Sequence, residues 1–290
     1  MKLISLLFSI LIIHSMALSA TPPPPPTKVL VTGAGGKVGS RVVKCLREKG
    51  IEVRALVRKA ETKIEGASEV IVGDILQTEG LTEAMTGCSA CIACHGTARV
   101  AKLGDVFGRG RDDPDHPYHV NYEGNKSLVQ AAKASGCHRL IRITGNAVGL
   151  PASSPVAILL NLFASMTVKW QLKGEQVLRA SGLDYTVVRP GGLTDDPRPP
   201  GLPLVLTCDG QPASKKGSFR IGRDDVADLM VACLDRPNTK KATLSCLWGK
   251  TTTKKDVNPQ YWALDWMSML KLAEPDKSPL EDKPHLTSVR

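Results

Sequence analysis

Three glycines at three-residue spacing, Gly33, Gly36 and Gly39, follow a short apolar run at Val29–Val31 and precede Val42, Val43 and Leu46, which recur at helical spacing. Such a turn serves one kind of chemistry well, the holding of a pyrophosphate. The anion must come close to main-chain N–H groups, and a Cβ at Gly33 or Gly36 would stand in its way. Gly39 lets the helix lie tight on its strand, and the positive end of the helix dipole then faces the anion. Strand, glycine turn and helix in that order are read as a dinucleotide site.

The next strand, Ile51–Val57, ends in Arg58 and offers no acid for a ribose 2′-hydroxyl. An arginine there suits a 2′-phosphate in a charge-assisted fork, which favours NADP(H) over NAD(H). Val70–Val72 reads as a third strand with Asp74 at its carboxyl end. Asp74 is equally suited to accept from an adenine amino group or to cap the helix that starts near Thr78. The fourth strand, Ser89–His95, contains Cys91-Ile92-Ala93-Cys94-His95, the spacing of a c-type haem attachment site. Its place in the strand series argues against haem, and Cys88 extends it to a zinc-like pattern without a second half. No metal is expected. His95 is read first as a strand-end residue, with an acid–base role left open by its position. Gly96 is where the backbone could pass close to the cofactor's ribose or nicotinamide.

Behind these residues stands an alternation of strands and helices. Thr97–Pro117 is a long polar connection that should overhang the nicotinamide end of the cleft as a lid or binding loop. Val120–Ser135 reads as a helix with Gly124 facing a neighbour. His138–Thr144 is the fifth strand, Ala157–Arg179 carries one or two helices, and Leu183–Val188 is the sixth strand before Pro190-Gly191-Gly192. Asp195–Gly217, rich in Pro and Gly, reads as a substrate-side flap with little regular structure. Asp224–Leu234 is a helix and Thr243–Leu247 a last strand. A final helix begins near Asn258, with Trp262, Trp266, Met269 and Leu270 on one face as core. The pattern defines an α/β fold, a doubly wound parallel sheet of Rossmann type, with a small substrate-side lobe built from C-terminal insertions.

Met1-Lys2, an apolar run from Leu3 to Ile13 and small residues up to Ser19-Ala20 describe a signal peptide at residues 1–20. The run is too short to span a membrane comfortably. Pro22–Pro26 make residues 21–27 a stiff leader. One cofactor-binding domain is expected over residues 28–273, and a flexible polar tail over 274–290. Such a signal leads into the secretory route, and in an organism with secondary plastids it also opens plastid import. Eight scattered cysteines mostly fall in apolar patterns, as small buried hydrophobes. A formal charge of +10 suits an anionic ligand. The chain has no block of five like charges and no basic stripe interleaved with aromatics, so nucleic-acid binding is not expected. The expected partner is a small-molecule substrate, acting on a monomer or homodimer.

The run Val-Thr-Gly-Ala-Gly-Gly-Lys-Val-Gly at 31–39 resembles the atypical short-chain dehydrogenase/reductases, in their NAD(P)H-binding, NmrA-like branch. Further matches are Arg-Ala-Leu-Val-Arg at 54–58, Val-Gly-Asp-Ile-Leu at 72–76, Val-Asn-Tyr-Glu-Gly-Asn-Lys at 120–126, Trp-Gln-Leu-Lys-Gly-Glu-Gln-Val-Leu at 170–178, Asp-Tyr-Thr-Val-Val-Arg-Pro-Gly-Gly-Leu at 184–193 and Ile-Gly-Arg-Asp-Asp-Val-Ala at 221–227. The resemblance implies that Gly33, Gly35, Gly36, Lys37, Val38 and Gly39 line the pyrophosphate and that Arg58 takes the 2′-phosphate. It further implies that Asp74 and Ile75 meet the adenine, Gly96 the nicotinamide ribose, Thr144 and Lys173 the nicotinamide region, and Pro190, Gly191 and Gly192 the amide edge. The departure is at the acid. Typical members carry a tyrosine four residues before the lysine, and here that position is Lys169. The expected activity is therefore an NADPH-dependent reduction of a small quinoid, flavin-like or conjugated carbonyl acceptor, with Lys173 holding the ribose and Thr144 or a water supplying any proton. The alternative is a non-catalytic NAD(P)-binding module that senses redox state or docks a partner.

Overall fold

The computed structural model describes residues 26–250 and 262–277, with breaks at 98, 100–101, 107–109, 152, 209, 211–217 and 264. The expected signal peptide and the end of the expected tail lie outside the described residues.

Short, continuously apolar runs become parallel strands because both faces of each are covered. The strands are β1 (Lys28–Thr32), β2 (Glu52–Val57), β3 (Glu69–Val72), β4 (Ala90–Ala93), β5 (Arg139–Ile143), β6 (Asp184–Pro190), β7 (Gly192–Thr194), β8 (Leu204–Thr207), β9 (Arg220–Gly222), β10 (Ala242–Trp248) and β11 (Trp262–Ala263). Nine form one sheet in the order β3-β2-β1-β4-β5-β6-β10-β8-β11. Neighbours from β3 through β10 pair in parallel, and β8 runs antiparallel to both β10 and β11. The chain order reverses between β1 and β4, and the crevice for a ligand opens outside their carboxyl ends.

The helices are α1 (Gly39–Glu48), α2 (Thr78–Met85), α3 (Leu103–Val106), α4 (Gly124–Ser135), α5 (Pro155–Phe163), α6 (Thr167–Arg179), α7 (Arg223–Ala232) and α8 (Trp266–Leu270). One face of the sheet packs its core with α1, α7 and α8, the other with α2, α4 and α6. β7 and β9 pair as a separate two-stranded ribbon at the substrate side.

Three expectations change here. Asp195–Gly217 is not a bare flap, since Leu204–Thr207 is a fully buried strand. Its apolar run is too short, and too closely flanked by prolines, to stand out as a pattern. The expected helix start near Asn258 lies outside the described residues, but Trp262 belongs to a strand paired with Val205 and the last described helix starts at Trp266, so the aromatic stripe is split between two elements. Trp266, Met269 and Leu270 are core as expected. The tail, finally, is not free from residue 274. Asp276 is buried, with Arg179 Nη1 at 2.6 Å, the Tyr185 hydroxyl donating at 2.8 Å and the Thr243 amide at 3.0 Å. These contacts pin the chain to the amino-end edge of β6 and β10.

Candidate functional site

At the crevice, Gly35, Gly36 and Lys37 are exposed in sequence, whereas Val38 and Gly39 are buried. Gly36 N–H closes the turn on Gly33 O at 2.9 Å. Among the described residues, the N–H groups of Gly35, Lys37 and Val38 meet no protein acceptor, and they sit at the start of α1. The glycines have separate reasons. Gly33 has φ +66°, and a Cβ there would meet backbone N of His95 at 2.7 Å, so this glycine answers to β4 and not to a ligand. A Cβ on Gly39 would overlap Gly33 O, which confirms the close strand–helix approach. The Lys37 ammonium is paired with Asp195 at 3.1 Å, and Arg41 and Arg223 converge on the same carboxylate. The substrate-side lobe is thus latched to the glycine turn.

Arg58 is exposed at the end of β2, as expected, but it is engaged. Asp115 lies 2.7 Å from its guanidinium, and the Thr97 hydroxyl donates to Asp115 O at 2.7 Å. The long connection therefore reaches the β2 end of the crevice, where sequence placed it over the nicotinamide end. Nor is it bare: Arg99, held by Asp105, Asp113 and Ser165 at 2.6, 2.8 and 2.5 Å, gives it a buried polar core. Charge carried inside a loop has no hydropathy signature, so this order was not visible beforehand.

Asp74 does not cap α2, whose first position is preceded by Gln77 without a side-chain bond. It makes a local turn, one carboxylate oxygen accepting from the Leu76 amide at 2.9 Å. The Ile75 side chain packs on Gly124, where a Cβ would come within 2.9 Å of its Cγ1, so Gly124 is the seat of Ile75.

His95 is buried beside the glycine turn, with Nδ1 2.8 Å from the Thr32 hydroxyl. Burial, and then the neighbouring Arg142, push its pKa well below the ordinary histidine value. Both effects favour the neutral ring. Arg142 is itself buried, donating to Ala93 O at 3.1 Å and to His95 O. Cys91 is buried and Cys94 half-buried, and burial raises both thiols, Cys94 to about 12, away from the reactive thiolate. No cluster of metal-ligand type occurs among the described residues. Gly96 faces open space.

Lys173 is half-buried on α6, and Thr144 stands at the end of β5. The Thr144 hydroxyl donates to Glu175 Oε1 at 2.6 Å, and Glu175 is fully buried against Arg189, whose Nε lies 3.1 Å from the same oxygen. Sequence reasoning missed this pair, and its only sign was a charge standing where an apolar helix face or strand should continue. Pro190 ends β6 with no N–H to give. The amides of Gly191 and Gly192 donate to Cys246 O at 3.1 Å and Phe219 O at 2.7 Å. Both amides are spent on the protein, so any contact of Pro190, Gly191 and Gly192 with a carboxamide edge falls to their carbonyls.

Beyond Lys173 lies a group that sequence did not single out. Tyr118–Glu123 is a π-helical turn leading into α4, a feature common near functional sites. Its Tyr118 meets Trp170 of α6 edge-on at 4.9 Å, with Tyr122 6.0 Å from the same indole. Arg111 lies over both Tyr118 and Trp170, at 5.0 and 5.3 Å, and the Lys169 ammonium is 5.1 Å from the Trp170 ring.

A parallel sheet with an anion-ready glycine turn at its switch point defines a Rossmann-type nucleotide-binding protein. A family model described as NAD(P)H-binding matches residues 33–237, and the chain belongs to that family. It is 34% identical over 236 residues to a chloroplastic protein of Arabidopsis thaliana, covering 78% of this chain and 71% of that one. It is 29% identical over 239 residues to sanguinarine reductase of Eschscholzia californica, covering 73% and 85%. It is also 34% identical to TIC 62 of Pisum sativum, chloroplastic, over 57% of this chain but 32% of that protein's length. Among solved structures, a short-chain dehydrogenase/reductase from Veillonella parvula, in complex with NADP, superposes with a TM-score of 0.57 over 80% of this chain and 98% of that one. At 19% identity that likeness concerns the fold alone.

Proposed function

We propose that the chain is an NADPH-dependent reductase of a small quinoid, flavin-like or conjugated carbonyl acceptor. The observation that carries this reading is a set of amides at Gly35, Lys37 and Val38, just before α1, without a protein acceptor among the described residues, in a chain whose lysine helix lacks the usual tyrosine. The residues present fit a dinucleotide, because those amides and the helix start need an anion and the glycines leave room for one. When bound, the reduced nicotinamide supplies the hydride.

The chain's own part is positioning. Gly33, Gly36 and Gly39 shape the turn, and the amides of Gly35, Lys37 and Val38 hold the pyrophosphate. Arg58 exchanges Asp115 for the 2′-phosphate, Asp74 offers its second carboxylate oxygen to the adenine amino group, and Ile75 backs the ring. Gly96 gives the nicotinamide ribose space and Lys173 binds its hydroxyls. Thr144, whose proton is committed to Glu175, serves as a lone-pair acceptor, and water brings the proton that the acceptor needs. Pro190, Gly191 and Gly192 border the carboxamide through carbonyl oxygens. The name of sanguinarine reductase supports a reductase, and the chloroplastic relatives support a plastid destination.

The test is thermal stability of the purified protein with NADPH, NADP, NADH and NAD, followed by NADPH oxidation with a panel of quinones. A ligand at a hundred times its dissociation constant stabilises by about 2.7 kcal/mol, so a rise confined to the phosphorylated pair, lost in Arg58→Ala, is the expected result. Equal rises with all four would remove the NADP preference. Binding without oxidation of NADPH by any acceptor would leave the nucleotide-binding module as the function.

A further inference from the structure

We propose that Arg111, over Tyr118 and Trp170, and Lys169, over Trp170, form an anion subsite for the acceptor, so that the substrate is a planar conjugated molecule carrying a carboxylate, phosphate or sulfonate. This rests on the reductase reading only in taking the occupant to be the acceptor.

The position follows from the direction of α6. Its Arg179 end sits at the amino-end edge of the sheet with Asp276 and Thr243, while Glu175 reaches Thr144 and Arg189 at the carboxyl-end edge. At 1.5 Å per residue, Lys169 stands about 6 Å beyond Lys173 along the helix, toward the carboxyl-end side of the sheet on which the crevice opens. Arg111 is brought to the same place by its loop. His119 of the π-helical turn holds the Arg111 carbonyl, and the guanidinium lies 5.0 Å from the Tyr118 centroid and 5.3 Å from that of Trp170.

The charge is uncompensated. Acidic groups nearby are engaged elsewhere: Glu123 pairs with Lys126 at 2.9 Å, Asp113 with Arg99 at 2.8 Å and Asp115 with Arg58 at 2.7 Å. Among the described residues neither Arg111 nor Lys169 has an ion-pair partner, and their side chains lie against aromatic rings. The two cations are close enough to feel each other. Burial first, then Arg111 and Lys173, lower the pKa of Lys169. Ring faces attract cations, but two cations about one indole also repel, and an anion between them relieves both their repulsion and their lost solvation. The chain has only four tryptophans and four tyrosines, and three of those eight line this one place.

The test uses FMN and riboflavin, which share a ring system and differ by a phosphate. Binding of each to the purified protein is measured by calorimetry, with and without saturating NADP so that the nucleotide crevice is not the site reported. The expected result is FMN at least tenfold tighter than riboflavin in the presence of NADP. Arg111→Met and Lys169→Met should each bring that ratio to within about twofold and leave riboflavin binding and the thermal midpoint unchanged. Equal affinities, no saturable FMN binding, or an intact ratio in both variants would overturn the subsite. NADPH oxidation by menadione, a neutral quinone, separates the two readings. Menadione reduction without an FMN preference sinks the subsite and keeps the reductase. An FMN preference with no acceptor reduced does the reverse.

Discussion

Single side chains in this protein divide into those that shape the crevice and those that would touch what enters it. Glu175 is of the first kind. Replacing it with Gln leaves Arg189 as a buried charge without a counter-charge, and breaking such a pair costs about 3–5 kcal/mol. Chemical denaturation of Glu175→Gln should show a loss of that size, and a loss under 1 kcal/mol would mean that Arg189 finds compensation elsewhere. Gly39→Ala should abolish nucleotide stabilisation, because its Cβ overlaps Gly33 O and the turn has to shift. The glycine turn was legible in sequence because glycine spacing, strand and helix all point one way at short range. The reason for Gly33 was not, since the atoms that it avoids belong to His95 and Cys94, more than sixty residues along the chain. Arg58 was legible as a cation but not as a paired one, for the same reason of distance.

Elements show where charge and apolar surface were placed without a periodic signal. The Thr97–Pro117 connection has no hydrophobic pattern, yet Arg99 and its carboxylates fold it and Asp115 lays it across Arg58. An exposed ion pair contributes about 0.2–1 kcal/mol, so Asp115→Asn should tighten NADPH about twofold to fivefold and leave NADH unchanged in a binding titration. A weaker NADPH affinity in that variant would show that Asp115 helps the phosphate site and does not compete for it. Helix α5 is the opposite case. It was expected from its length and apolar content, but only Ala157 and Asn161 face the protein, and Leu159 and Phe163 are 55% and 69% exposed. The double change Leu159→Ser and Phe163→Ser should therefore move the unfolding free energy by no more than about 0.5 kcal/mol per site. A larger loss would show that these side chains are covered in solution.

For the whole molecule, a parallel sheet was readable from alternation, whereas its strand order and the short antiparallel β8 and β11 at the far edge were not. Stability against acid also belongs at this scale. Burial would raise the Asp105 carboxyl, but hydrogen bonds from Arg99, the Lys102 amide and Ser165 overcome it and hold the group at about 2 against an ordinary 3.8. A carboxyl lowered on folding stabilises the protein above its ordinary value and loses that contribution as pH falls through the folded one. The loss expected between pH 4 and 2 is about 2 kcal/mol. Asp225 and Asp276, raised chiefly by burial, act in the opposite sense, so the difference between wild type and Asp105→Asn isolates the effect. A constant difference across that window would exclude it.

The anchoring of Asp276 has a consequence for handling. The described fold is entered at Lys28, at the amino end of β1, and the chain is held at Asp276 beside the amino ends of β6 and β10. Both points lie on the edge of the sheet opposite the crevice. A protein tethered to a bead or a sensor surface through a side chain beside Lys28 or Asp276 would therefore present its crevice outward, and nucleotide should reach it as fast as it reaches the free protein.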